Sequence, residues 1–164
     1  MRTRLRAQAG IGLVELLIAM TVLSVALLAL VAAFSSGALT LRRAAQTSTA
    51  AALADQQMET YRALKFANVR LEPTSIPGVG DPYRSDSAYS ASQVTSTCSS
   101  TPWPDPCDAS QTPTAPDNRP YRVDSYIVSE TANLKKVTVV VRDGENLSGA
   151  AVVRISSKFA DTSG

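Results

Sequence analysis

Glu15 is the single charge in a run from Ile11 to Phe34 that is otherwise apolar or small, relieved only by the hydroxyls of Thr21 and Ser24. A carboxylate inside so apolar a stretch is expensive, and it demands a cationic partner because a lone charge in low dielectric is strongly destabilising. Gly10 stands five residues before it, and Arg2, Arg4 and Arg6 precede that glycine. A second chemically capable pair is Cys98 and Cys107, the whole cysteine complement. Export to an oxidising compartment would join them, whereas a reducing cytoplasm would leave two thiols. The loop closed by such a bridge is short, so its contribution would be about 2–3 kcal/mol. Histidine is absent, which removes Ser-His-Asp and Cys-His catalysis and every histidine-ligated metal site. Asp105, Asp108 and Asp117 invite calcium but lack the regular ligand spacing of a calcium loop. The residues therefore name no catalytic centre, no cofactor and no metal. Asn146-Leu147-Ser148 fits a glycosylation acceptor, a pattern too short to carry weight.

The element that must position Glu15 is the apolar run itself. It exceeds the roughly 20 residues that cross a bilayer as a helix. The arginines before it are expected to stay cytoplasmic and place the C-terminal part outside, a bias that Arg42 and Arg43 weaken without reversing. Three readings of this N-terminus compete: a processed leader followed by a helix that persists, a plain single-pass anchor, and a cleaved secretory signal. The apolar region is too long for the last of these, although Val31-Ala32-Ala33 offers a small-residue site. A plain anchor leaves Glu15 unexplained.

Short basic leader, Gly10, apolar run and Glu15 together closely resemble the N-terminus of type IV pilins and pseudopilins. The resemblance implies that a membrane prepilin peptidase cuts after Gly10, that Ile11 becomes a new and usually N-methylated terminus, and that the apolar helix becomes a filament core. Glu15 would then neutralise the α-amine of a neighbouring subunit and set the axial register between helices. Ile11 stands where the family usually has phenylalanine, and Gly12 where threonine is frequent. The absence of proline from the run predicts no strong kink.

Beyond Phe34 the helical signal continues without proline to Ala67. Ala50, Leu53, Ala54, Met58, Tyr61 and Leu64 recur at spacings of three and four, with Asp55, Glu59 and Arg62 off that face. All nine prolines lie between Pro73 and Pro120, a density expected to exclude helices and central strands. Within that stretch Trp103 reads equally as an exposed contact or as a residue packed onto the domain. From Tyr121 the pattern becomes that of strands. Val137, Val139 and Val141 alternate with Lys136, Thr138 and Arg142; after the Asp143–Asn146 turn, Ala151, Val153, Ile155 and Phe159 oppose Arg154, Ser156 and Lys158. One apolar face and one wet face are expected.

The reading is an α+β, pilin-like protein. Residues 1–10 form the leader, 11–34 the transmembrane and filament-core helix, 35–67 its amphipathic continuation, 68–120 a proline-rich variable loop region, and 121–164 an antiparallel sheet of three to four strands. Losing the three leader arginines takes Lys+Arg from 16 to 13 against 14 Asp+Glu, a net of −1, which offers no footprint for nucleic acid. The expected role is a non-enzymatic minor pilin or pseudopilin subunit. The segments Ala54–Ala63 and Lys136–Val141 resemble the minor pilin and type II secretion pseudopilin group typified by PilV and GspI. Its implied partners are other pilin subunits, the peptidase, an assembly platform and membrane lipid. Its implied location is the bacterial inner membrane and then a periplasmic or surface filament. The alternative is a single-pass anchored binding or sensory domain outside the cytoplasm.

Overall fold

The computed structural model describes residues 9–99 and 101–161; the leader arginines Arg2, Arg4 and Arg6 lie outside the described residues. The chain divides into two compact units, Met1–Ala44 and Ala45–Gly164, and helix α1, Ala9–Arg62, contributes to both.

In the second unit the three-and-four spacing is realised. Ala50, Leu53, Ala54, Met58 and Tyr61 are buried, and Gln57 joins them by donating through Nε2 to the Asp105 carbonyl at 2.8 Å. The helix stops at Arg62 rather than running on to Ala67. Its last turn tightens, the Leu64 N–H bonding the Tyr61 carbonyl at 3.1 Å, and Lys65 turns extended before a short 3-10 segment, Phe66–Asn68. Beyond that end a lysine fixes the path of the chain. The Lys135 ammonium donates to the carbonyls of Phe66 and Val69 at 2.7 and 3.0 Å and lies 4.3 Å from the Phe66 ring centroid. Those carbonyls are satisfied without a further helical turn.

The sheet is antiparallel with order β1-β2-β3-β4: Ser110–Gln111, Tyr121–Thr131, Leu134–Asp143 and Val153–Ala160. Register pairs Val123 with Val141, Ser125 with Val139 and Ile127 with Val137, then Val139 with Ile155. These residues line one face, and their apolar members pack in one core cluster with Met58 and Tyr61 of α1.

The opposite face corrects the expectation of a wet side. Arg122, Asp124 and Tyr126 in β2, and Thr138, Val140 and Arg142 in β3, are also buried. Their cover comes from the proline-rich segment, which is not structureless. Helix α2, Pro82–Ser85, starts with Asp81 capping the Tyr83 N–H and with proline in its first turn, where the missing donor costs nothing. Tyr83 is fully buried. It stacks on Tyr126 with centroids 4.3 Å apart, donates to the Ser125 carbonyl at 2.7 Å, and its own carbonyl accepts from the Tyr126 hydroxyl at 3.0 Å. Trp103 is half-buried and packs against the core.

Candidate functional site

Gly10 and Ile11 fall in the first turn of α1, and Glu15 one turn further along. From Leu13 to Leu41 every large apolar residue is more than half exposed, between 54% at Leu27 and 73% at Leu41. Monomeric soluble proteins rarely expose a surface so apolar on all sides; the helix from Gly12 is long and apolar enough to cross a membrane. Its polar groups are prepared for that setting. The hydroxyls of Thr21 and Ser24 each donate to a carbonyl of the preceding turn, Ile18 and Met20, at 2.8 Å. Ser35 does the same to Val31 at 2.9 Å. None of these hydroxyls needs an outside partner. Glu15 differs: it has no hydrogen-bond or ion-pair partner among the described residues. A carboxylate without a partner on an all-apolar helix is a demand for a cation from elsewhere.

In the second unit Cys98 and Cys107 are disulfide-bonded, with Cα atoms 6.3 Å apart. Asp105 shapes the enclosed loop, accepting from the Thr101 N–H at 2.6 Å and the Cys107 N–H at 2.8 Å. Glu72 ties that loop to the body of the unit. Its carboxylate accepts from the Cys98 N–H at 2.7 Å, and its own N–H donates to the Cys107 carbonyl at 2.8 Å. Asp117 accepts from the Tyr121 hydroxyl at 2.7 Å, and Asp108 makes a local turn with Ser110. The three aspartates thus serve separate local bonds, and no cluster able to hold a metal occurs among the described residues.

Sequence reasoning missed the chain of alternating charges on the covered sheet face. Arg122 forks onto Asp81, with Nη1 3.1 Å from Oδ2, and its Nε donates to Asp124 at 2.8 Å. Asp124 lies 3.4 Å from the Arg142 Nε; Arg142 pairs with Asp86; and Arg154 grips Asp86 with two bonds of 2.8 and 2.9 Å. Three carboxylates and three guanidiniums alternate, so the row is neutral although Asp124 is fully buried. The signal was present in β2 and β3 as charges at period two, Arg122 with Asp124 and, across the register, Arg142. What sequence could not give was Asp81 and Asp86, brought in by a loop.

This row sets an acid response. Hydrogen bonds from Arg122 hold the Asp81 carboxyl below its ordinary value. Burial alone would raise Asp86, but Arg154 and the Ala88 N–H hold it below as well. Burial raises Asp124, outweighing Ser110 and Arg122. Carboxyls depressed on folding contribute stability that is present above their unfolded value and lost as pH falls through the folded one; Asp124 acts with the opposite sign. The stability margin of the wild-type head over Asp81→Asn is therefore expected to shrink as pH drops below about 4, because Asp81 is depressed while Asp124 and Asp108, both raised by burial, are common to the two proteins. Melts of both between pH 7 and pH 2.5 check this, and a margin that stays constant would contradict it.

Residues 5–31 match the family model described as the prokaryotic N-terminal methylation motif. No curated protein and no solved structure gives a significant match to the chain. The motif marks a type IV pilin- or pseudopilin-type precursor, and the matched span takes in Gly10, Ile11 and Glu15. A long apolar N-terminal helix, followed by a four-stranded antiparallel sheet, makes the architecture α+β and pilin-like.

Proposed function

We propose that this chain is a structural minor pilin or pseudopilin subunit, cleaved after Gly10 by a prepilin peptidase and assembled through α1 into a type IV pilus or a type II secretion pseudopilus. The observation that carries the reading is Glu15, without a partner among the described residues, on an apolar helix inside the methylation motif. Cleavage would free the Ile11 α-amine at the level of the membrane surface, where N-methylation would leave it cationic. The Glu15 of a neighbouring subunit then supplies the opposite charge. In low dielectric such a pair is strong when formed and costly when single, so it selects one axial register over its neighbours. The segments Ala54–Ala63 and Lys136–Val141 support placement near the PilV and GspI group. On this reading the subunit waits in the bacterial inner membrane with its N-terminus cytoplasmic and its head outside, where the Cys98–Cys107 bridge forms. It serves no catalysis, and its partners are other subunits, the peptidase and the assembly platform.

Gly10→Val tests the cleavage step. Its expected product is a single precursor-sized species beside a shorter wild-type chain on a denaturing gel of membranes. Equal mobility of the two would favour the second reading, an anchored binding or sensory domain.

A further inference from the structure

The sheet ends on β4, eight residues long, none of them fully buried. The Asp161 N–H bonds the Asn133 carbonyl at 2.9 Å, and the β3–β4 register continues from there in steps of two. Phe159, Ser157, Ile155 and Val153 are therefore the residues whose backbones face β3. The N–H and C=O groups of Arg154, Ser156, Lys158 and Ala160 face away from the sheet, and no backbone bond reaches them from another described element. At the other side, β1 and the Gln93–Val128 bridge shield β2. Among the described residues β4 alone offers a long open edge.

A cleft of about 620 Å³ lies beside its C-terminal half. Leu64, Phe66 and Phe159 give it apolar walls; Lys65, Lys158 and Arg62, the last already paired with Glu59, give it cations against the carboxylate of Asp161. We infer that the β4 edge and this cleft receive an extended segment of a different chain, one in which acidic residues alternate with small apolar ones. Added as a fifth strand, the segment would pair its backbone with the open groups of β4. Its apolar side chains would enter the cleft, and its carboxylates would lie on the outer face beside Arg154 and Lys158. Both cations already hold one carboxylate each, Asp86 and Glu130, yet remain 37% and 60% exposed, with room for a second. A second copy of β4 does not fit, because antiparallel pairing would bring the Arg154 and Lys158 rows of the two copies together, and like charges across strands repel. This inference does not depend on assembly through α1.

The test uses the full chain in detergent micelles and two acetylated eight-residue peptides, one alternating glutamate with valine and the other lysine with valine. The glutamate peptide is expected to bind at least about tenfold more tightly, a difference of about 1.4 kcal/mol, and to slow amide exchange at Arg154, Ser156, Lys158 and Ala160. Ser156→Pro removes one outward donor while sparing the backbone bonds to β3, though it gives up the 2.9 Å hydroxyl bond to Thr138, and is expected to abolish the protection at Arg154, Lys158 and Ala160. Lys158→Gln, at an outer-face cation that is 60% exposed, is expected to weaken glutamate-peptide binding without altering the melt, since an exposed ion pair contributes little to stability. Equal binding of both peptides, or protection located elsewhere, would overturn the inference. So would concentration-dependent protection of the same amides without peptide, which would assign the edge to a second copy.

Discussion

Glu15→Ala is expected to leave processing after Gly10 intact while lowering incorporation into filaments by at least about a hundredfold. The size follows from the pair it breaks. Removing one member of a desolvated ion pair strands the other, at a cost of about 3–5 kcal/mol, and each 1.4 kcal/mol is about a factor of ten in an equilibrium. The stranded group here would be the Ile11 amine of a neighbour. Processing should survive, because the cleaved bond lies before the apolar length of the helix and Glu15 makes no side-chain bond to the described residues of α1. Co-purification of the variant with sheared filaments, against membrane-retained subunit, measures the ratio. Wild-type incorporation would remove Glu15 from the register role. Glu15→Asp separates charge from reach: it keeps the carboxylate but draws it back by one methylene, so partial recovery is expected.

Arg142→Leu has the largest expected effect on the head. Arg142 sits between Asp124 and Asp86, and its side chain is only 8% exposed. Leucine would leave Asp124 fully buried with Arg122 as its remaining cation, and Asp86 with Arg154 alone. Breaking a buried charge row in this way costs about 3–5 kcal/mol, which for a head of this size lowers the thermal midpoint by about 10–20 °C. Asp124→Asn offers a contrast, since it removes the most buried charge while keeping its shape; a smaller loss is expected. Should Arg142→Leu melt with the wild type, the row is ornamental to stability and the acid response described above loses its basis.

The two variants fall on opposite sides of what sequence can reveal. Glu15 was legible because an apolar run makes any charge conspicuous, and the reason for its cost needs no tertiary structure. The α1 stripe from Ala50 to Tyr61 was legible for a related reason, since a single period of 3.6 decides which residues turn inward. So were the strands from Tyr121 onward, where alternation is strong on the core-facing side. The covered outer face was not legible. Arg122, Asp124 and Arg142 read as solvent-facing by residue type, and only the return of Asp81, Tyr83 and Asp86 over the sheet neutralises and buries them. Proline density in that segment predicts an absence of helices and central strands. Pro82 instead starts a capped helical turn, and order there rests on Tyr83 packing on Tyr126 rather than on a local period. The chain just past α1 was illegible for the same reason: its path is held by Lys135, more than 60 residues away, donating to the carbonyls of Phe66 and Val69.

The account turns on whether the apolar helix begins a mature chain. N-terminal sequencing of the protein recovered from membranes, with mass analysis of its first peptide, addresses this directly. The expected result is a chain that starts at Ile11 with a methylated α-amine. A chain that retains Met1, or one that starts after Ala33, would contradict it.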